Sequence, residues 1–245
     1  MNKHRHTSRF AFLVAGWIFL SACFCVAQDL GAVTAEINVV RSEQKQGKAL
    51  PDNSEVVVWL SPLDSSVAQS RTKPSRHYQM LQRNKHFKPA LLVIPVGTVV
   101  EFPNKDPWFH NVFSLYQGKK FDLGLYQAGS THSVHFDRLG ASYIFCNIHP
   151  QMSAVVLAID SEYYAISDPS GKVTLEDIPP GQYHLRVWYQ GASQKALDAL
   201  QRDITVTSGR RDLGVLKVTA NPAAQVAHKN KYGQDYDPDG ATPSY

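Results

Sequence analysis

The sequence predicts an all-β protein. Short runs rich in β-branched and aromatic residues recur along the chain between glycine- and proline-containing turns, a pattern typical of strands. Long amphipathic helical patterns are missing, and only residues 192–201 have modest helical spacing. A hydrophobic content of 43% and a formal net charge of +4 are ordinary for a globular protein, so composition favours neither disorder nor nucleic-acid binding.

The first 27 residues read as a secretory signal peptide. Basic residues precede an apolar run from Phe10 to Leu20, which is followed by small residues. We therefore expect an exported, periplasmic protein cleaved after Ala27. The stretch Leu20-Ser-Ala-Cys23 also fits a lipoprotein box, so attachment to the membrane by lipid at Cys23 stays open as an alternative.

The strands are expected in a regular series. About 215 residues remain after the signal, which suits one large domain or two small ones, and the many short strands favour two. Each predicted strand alternates or runs apolar and ends near a turn residue. The predicted strands cover residues 32–40, 55–60, 79–82, 91–100, 133–136, 142–145 and 154–159.

Cys146 is the only cysteine left once the signal is removed. A lone thiol in an oxidising compartment has no disulfide partner, and metal coordination would protect it from oxidation. It opens the run Cys146-Asn-Ile-His149-Pro-Gln-Met152, and His110 lies upstream. A thiolate, two imidazoles and a thioether form the ligand set of a blue-copper electron-transfer site, because soft sulfur favours Cu(I) and imidazole suits both oxidation states.

The two motifs resemble those of a cupredoxin. They are Phe102-Pro-Asn-Lys-Asp-Pro-Trp-Phe-His110-Asn111 and Tyr143-Ile-Phe-Cys146-Asn-Ile-His149-Pro-Gln-Met152, and the second is most similar to the ligand loop of amicyanin. The resemblance covers residues 76–160 and implies a Greek-key β-sandwich with one type 1 copper site that cycles between Cu(II) and Cu(I). It implies that His110, Cys146 and His149 are the equatorial ligands and that Met152 is the axial ligand. It further implies that Asn111 ties the two ligand-bearing segments together.

Ile148 departs from amicyanin, which carries proline at that position. Its backbone N–H can donate to the Cys146 thiolate and stabilise Cu(I), so we expect Ile148→Pro to lower the reduction potential. The resemblance further implies that His149 is the electron port, within an apolar patch that includes Trp108 and Phe109. A transient redox partner such as a cytochrome or a dehydrogenase is expected, and no small-molecule substrate. Because no catalytic triad, carboxylate pair or phosphate loop is found, we expect no enzymatic activity.

Other interpretations of these residues stay open. Cys146 could be a buried apolar thiol, or the site could hold zinc, although methionine is a poor zinc ligand. The same ligands could serve copper trafficking instead of electron transfer. His132 and His135 are three residues apart on a predicted strand, so they face opposite sides and are expected at the surface.

Residues 168–188 carry a second resemblance, to the regulatory, transthyretin-like domain of carboxypeptidases. Asp168-Pro-Ser-Gly171 predicts a tight turn, and Tyr183, Leu185 and Val187 alternate along the strand that follows. The resemblance implies a small β-sandwich with two earlier strands, and the candidates lie before residue 76. A cell-surface or carbohydrate-binding role for this domain is an alternative function, with Trp188 and Tyr189 as candidate contacts.

We therefore expect a nested arrangement of domains. Residues 28–75 and 161–220 would form the transthyretin-like domain, and residues 76–160 would be a cupredoxin domain inserted into it. A cupredoxin followed by a small β appendix is the alternative. The polar tail, residues 221–245, is rich in glycine and proline and is expected to be disordered.

Overall fold

A computed structural model of the chain describes residues 29–41, 52–64, 76–115, 118–221 and 228–236. Within these ranges the regular elements are strands and one short helix, which confirms the predicted all-β class. The predicted signal peptide and Cys23 lie outside the described residues. Across the described ranges no helix is long and apolar enough to pass through a membrane.

We number the elements in chain order. The strands are β1 Gly31–Arg41, β2 Val57–Pro62, β3 Tyr78–Gln79, β4 Leu81–Gln82, β5 Phe87–Lys88, β6 Leu91–Pro95, β7 Thr98–Pro103, β8 His110–Ser114, β9 Phe121–Tyr126, β10 Thr131–Phe136, β11 Gly140–Phe145, β12 Ser153–Ile159, β13 Tyr164–Ile166, β14 Lys172–Ile178, β15 Gly181–Trp188, β16 Arg202–Val206 and β17 Gly209–Ala220. The helix, α1, is Gln194–Asp198 and begins after the cap residue Ser193.

Strands β3 to β12 build a sandwich around one hydrophobic core. One sheet has the order β6-β12-β11-β8-β9, the facing sheet has the order β10-β7-β3, and β4 pairs with β5. Phe102, Phe136, Ile144 and Val156 lie fully buried between the sheets. The side chain of Cys146 belongs to the same core, so the predicted metal loop is anchored at one end of this sandwich.

The strands on either side of residues 76–160 pair with one another. β1 lies between β14 and β17, antiparallel to the first and parallel to the second. β2 lies between β13 and β15 and is antiparallel to both. Their inner faces share a second hydrophobic core, in which Ile37, Leu60, Leu185 and Val218 are buried. These pairings support the nested arrangement, whose boundaries we keep as a proposal.

The five-stranded sheet is covered on both faces. Successive side chains of a strand point to opposite sides, so Val156 of β12 enters the sandwich core while Leu157 points away from it. Leu157 packs with Val57 and Trp59 of β2 in a third cluster. Trp59 Nε1 also donates to Asp160 Oδ1 over 3.0 Å. The sheet that leads into the predicted metal loop therefore rests on the sheet of β13, β2, β15 and β16. We call that sheet, together with the sheet of β14, β1 and β17, the second β domain.

Most predicted strands are observed, with local differences. Residues 91–100 form two strands, because Gly97 adopts a φ of 85° and reverses the chain between β6 and β7. The predicted helix is shorter than expected and covers only Gln194–Asp198. β5, β8, β9, β13, β16 and β17 were not predicted; among them β8 begins at a histidine and β9 has a glycine, Gly124, in its interior.

Candidate metal centre

His110 is the first residue of β8 and is fully buried. The loop before it is shaped by Asn104, whose Oδ1 accepts the N–H of Asp106 over 3.0 Å and whose Nδ2 donates to the Trp108 carbonyl over 2.7 Å. These bonds hold the loop as a compact turn, because a short amide side chain can replace backbone partners locally. The turn delivers the His110 ring into the end of the sandwich.

Cys146 and Met152 frame the second ligand-bearing segment, between the end of β11 and the start of β12. The Cys146 N–H donates to the Met152 carbonyl over 3.3 Å, and the Met152 N–H donates to the His149 carbonyl over 3.0 Å. The seven residues therefore form a loop closed by its own backbone. We call Cys146 to Met152 the ligand loop.

Three donor atoms converge at this end of the sandwich. Nδ1 of His110 lies 3.1 Å from Nδ1 of His149, and the Cys146 sulfur lies 4.0 Å and 3.7 Å from these two nitrogens. The potential ligand atoms of the group all lie within 4.8 Å of one another, and all three residues are buried. First-row metal ions bind such donors at about 2.0–2.3 Å, so donors that share an ion stand about 3.3–3.8 Å apart. The observed triangle is close to that size.

Met152 is fully buried in the same core as Cys146. Its backbone closes the ligand loop on both sides, through the bonds to Cys146 and His149. The structure therefore places Met152 next to the two loop donors along the backbone. Its role as the axial ligand stays a prediction.

Both imidazoles are neutral at pH 7. Burial, together with the nearby His110 and Lys85, lowers the pKa of His149 to about 4 against the opposing effect of Asp106. Burial also lowers the pKa of His110, although its bond to Asp106 acts in the opposite direction. A neutral ring offers a lone pair, so each histidine is in the state that binds a metal ion.

Opposing effects act on the pKa of the Cys146 thiol. Burial raises its pKa, while backbone N–H groups of Asn111, Ile148 and His149 oppose the rise by hydrogen bonding to the sulfur. Such donors stabilise a thiolate, and a bound cation would complete its deprotonation. The Ile148 N–H is among these groups, and its effect on the reduction potential stays a prediction.

Asp106 is a functional candidate that the sequence motifs did not reveal. Its carboxylate accepts the N–H groups of Asn84 and Lys85, over 2.5 and 2.8 Å, and lies 2.9 Å from Nε2 of His110. Asn84 and Lys85 both have positive φ, so their adjacent N–H groups point toward one anion. Burial would raise the pKa of Asp106, but these hydrogen bonds outweigh it and the pKa is lowered. An ionised Asp106 therefore fixes the His110 ring with Nδ1 toward the other donors.

Asn111 connects to different partners than expected. Its Nδ2 donates to Asp122 Oδ1 over 2.7 Å and to the Gly124 carbonyl over 2.9 Å, both on β9. Only its backbone N–H reaches the ligand loop, at the Cys146 sulfur. The side chain therefore ties β8 to β9 and does not bridge the two ligand-bearing segments.

Part of the tail is ordered against this site, contrary to the expectation of disorder. Residues 228–236 contact the ligand loop at three points. His228 Nε2 lies 2.7 Å from the Pro150 carbonyl, the Lys231 N–H donates to Asn147 Oδ1 over 2.9 Å, and the Tyr236 hydroxyl donates to the Cys146 carbonyl over 2.9 Å. Composition gave no sign of these contacts, because each is made by a polar group in a polar segment.

The surface near the donors is partly apolar. Trp108 and Phe109 are 49% and 42% exposed, and Pro150, which follows His149 in the chain, is exposed as well. His149 itself is only 5% exposed. Lys85 Nζ lies 5.1 Å from the centre of the Trp108 ring and adds positive charge to this patch. The histidines of β10, at positions 132 and 135, are exposed and lie apart from the donor triangle.

One family model matches part of the chain, that of polysaccharide lyase family 4, domain II, over residues 150–212. This range lies largely in the second β domain and is well under half of the chain. The model that matches there is not that of a carboxypeptidase regulatory domain, so this resemblance stays a prediction. No curated protein matches the chain.

Several solved structures are similar to the chain. A novel purple cupredoxin from Nitrosopumilus maritimus is 26% identical over 34% of this chain and 99% of its own, with a TM-score of 0.31. A copper-containing nitrite reductase (NirK) from Thermus scotoductus SA-01 is 26% identical over 41% and 27% of the two chains, with a TM-score of 0.35. A mutant of amicyanin in the Cu(I) form is 16% identical over 42% and 98%, with a TM-score of 0.32. Because these TM-scores lie below 0.5, we base the function on the donor atoms themselves.

Proposed function

We propose that the chain is an exported type 1 copper protein that carries single electrons. The observation that carries this proposal is the buried triangle of one thiol and two neutral imidazoles, His110, Cys146 and His149. Two nitrogens and one sulfur, with a methionine nearby in the chain, are the donor set of blue-copper sites. Copper would supply the one-electron redox change when bound.

The residues present fit copper better than zinc. The donor group has no carboxylate, because Asp106 is committed to His110 and to two backbone N–H groups. Structural zinc sites use four cysteine, histidine or carboxylate ligands, and this centre offers three of them. Burial keeps water away and the ligand loop is closed by backbone bonds, so little has to move when the charge at the centre changes.

The protein's own residues then perform three tasks. Asp106 fixes the ring orientation of His110, and the N–H groups of Asn111, Ile148 and His149 stabilise negative charge on sulfur. The apolar patch of Trp108, Phe109 and Pro150 suits a brief encounter with a redox protein such as a cytochrome or a dehydrogenase, since transient redox complexes bury little area. On this proposal the chain transforms no substrate and is an electron carrier, not an enzyme.

The first test is a copper titration of the protein from residue 28 onward, read by visible absorption and electron paramagnetic resonance. We expect intense thiolate-to-copper absorption and a small copper hyperfine splitting, both absent in Cys146→Ser and reversibly bleached by a reductant. Exposed Ser133→Ala on β10 is the control and should leave the spectra unchanged. A colourless complex in the wild type would reject electron transfer and favour zinc, and slow exchange of copper without redox cycling would favour trafficking.

A second candidate function is suggested by the family match to a polysaccharide lyase domain. Trp188 and Tyr189 line a cleft of about 120 Å³ between the second β domain and the sandwich, together with Glu55, Gln190, Ala90, Leu91, Ser153 and Ala154. Trp188 is partly engaged in packing with two hydrophobic clusters, which limits its free surface. A glycan pull-down that survives Cys146→Ser but is lost in Tyr189→Ala would support this binding role.

A further inference from the structure

The tail segment of residues 228–236 contacts the ligand loop and β9, the strand beside the one that carries His110. We call this tail segment the strap. Its Lys231 is the central residue, because its backbone N–H donates to Asn147 Oδ1 in the ligand loop while its Nζ lies 2.9 Å from Asp122 Oδ2 on β9. Asp122 Oδ1 in turn accepts from Asn111, the neighbour of His110. Lys231 thus links the ligand loop to β9, which the Asn111 side chain ties to the strand that carries His110.

The two ends of the strap hold the ligand loop from its outer side. Carbonyl oxygens can only accept hydrogen bonds, so His228 Nε2 donates to Pro150 and the Tyr236 hydroxyl donates to Cys146. The His228 ring also stacks on Phe145 with a centroid distance of 4.0 Å and an interplanar angle of 22°. The His228 ring also meets the Tyr236 ring edge to face with a centroid distance of 5.2 Å, so the two ends of the strap pack against each other.

The ion pair between Lys231 of the strap and Asp122 of β9 is favourable in the folded state. Burial would raise the pKa of Asp122, but bonds from Lys231, Asn111 and the Gly124 N–H outweigh it and the pKa is lowered. The pKa of Lys231 is raised, chiefly by its bond to Asp122. The side chains are 23% and 37% exposed, so this pair contributes modestly by itself and acts together with the backbone contacts.

We propose that the strap is a positioning element of the metal centre, in which Lys231 and Tyr236 hold the ligand loop in register with the strand that carries His110. The described hydrogen bonds from the strap to the ligand loop go to groups beside the donor atoms. The strap acts on the carbonyls of Cys146 and Pro150 and on the side chain of Asn147, which determine where the loop directs its thiol and imidazole. This inference rests on the proposed function for its meaning, but its geometry can be tested without metal.

The test uses Lys231→Met and Tyr236→Phe in the full chain. Lys231→Met keeps the backbone N–H and removes the ammonium, while Tyr236→Phe keeps the ring and removes the hydroxyl. Two matched controls lie in the same segment, namely exposed Lys229→Met and exposed Asp235→Asn. Neither control residue contacts the ligand loop through a hydrogen bond in the described part of the chain.

The first readout is hydrogen exchange of the Cys146 and Met152 amides in the metal-free protein, since these two bonds close the ligand loop. Each test variant should speed this exchange by on the order of five-fold, the effect of one lost hydrogen bond, and the controls should not. Amides of β1 serve as an internal reference and should be unchanged. Unaltered loop exchange in both test variants, or equal acceleration in β1, would overturn the proposal.

The second readout is the copper-loaded protein. We expect the test variants to release copper to a chelator about tenfold faster than wild type, with a changed ratio of visible absorption bands, because residues that support metal ligands contribute to affinity on this scale. Spectra and release rates identical to wild type would again reject the strap as a positioning element. If the wild type gives no blue copper spectrum, the proposed function fails, and the exchange experiment alone decides the strap.

Discussion

Two donor residues of the candidate metal centre, His110 and Cys146, depend on hydrogen bonds made by other residues. His110 is oriented by Asp106, and the Cys146 sulfur receives backbone N–H groups from both ligand-bearing segments. Neighbours of this kind set the basicity of a ligand and the charge balance of the site. The reduction potential is therefore the property in which single-residue changes should be visible.

Asp106→Asn should raise the reduction potential. The substitution keeps an oxygen acceptor for His110 Nε2 but removes a buried negative charge that favours Cu(II). We expect a rise on the order of 60 mV, which corresponds to about a tenfold change in the one-electron equilibrium. A redox titration monitored by visible absorption measures it. Asp137→Asn, which removes an exposed carboxylate paired with Lys119, should have no such effect. An unchanged or lowered potential in Asp106→Asn would contradict the role given to the carboxylate.

Ile148→Pro should lower the reduction potential. Proline has no N–H, so the Cys146 thiolate loses one of its backbone donors and Cu(I) loses stabilisation. The control is Ile148→Ala, which changes the side chain and keeps the N–H. Protein-film voltammetry of both variants separates the two effects. A lowered potential in both would trace the shift to packing of the side chain instead of the hydrogen bond.

The donor residues can be predicted from the sequence, whereas Asp106 and the strap, which support them, cannot. The thiol, the imidazoles and their short spacing are chemically unusual, so His110, Cys146 and His149 could be identified from the order of residues alone. Asp106 could not, because its partners Asn84 and Lys85 come from a distant turn with positive φ. The strap was missed for a similar reason. Its contacts depend on where residues 228–236 lie in space, and their composition is that of an ordinary polar tail.

At the level of elements, the turn before β14 is held against β1 by a backbone hydrogen bond. Gly171 has a φ of 90°, and its carbonyl accepts the N–H of Ile37 over 2.7 Å. A side chain there would place its Cβ within 2.1 Å of the Ile37 carbonyl oxygen. Both the backbone conformation and the approach of β1 therefore require glycine.

Gly171→Ala should destabilise the protein by about 2 kcal/mol or more, because the strain of positive φ adds to a backbone clash. Gly214→Ala is the matched control. It also has positive φ, 67°, but no atom lies within 4 Å of its Cβ position. We expect about 1 kcal/mol of destabilisation there. Urea unfolding followed by tryptophan fluorescence measures both. Equal losses in the two variants would show that the approach of β1 to Gly171 is not energetically important.

At the scale of the whole molecule, the sheets of the second β domain take their middle strands from before the sandwich of β3 to β12. β1 and β2 each lie between two strands from after residue 160, so their removal would leave β13, β14 and β17 without a described partner strand and β15 paired with β16 alone. On the exit side of the sandwich, Ser161 Oγ donates to the Leu60 carbonyl over 2.5 Å, which brings the chain back beside β2.

Residues 161–221 alone should therefore be unfolded. Residues 29–64 joined to 161–221 by a short flexible linker should fold, since they restore both middle strands. Circular dichroism and the dispersion of amide NMR signals distinguish the two cases. A folded 161–221 fragment would reject the nested arrangement and favour a β appendix that follows the cupredoxin-like unit.

The pairing of β1 with β17 also determines an order of assembly. Thr34 and its partner Asp212 are 178 residues apart in sequence. Because contacts between residues so far apart in the chain form slowly, we expect this pairing to form late. As the chain is synthesised, the sandwich of residues 78–159 is complete before β14 to β17 exist. We expect the ligand loop to close early, while β1 and β2 are still open edges exposed to incorrect pairing. Pulsed hydrogen exchange during refolding should accordingly show protected β11 and β12 amides before any protection appears in β1.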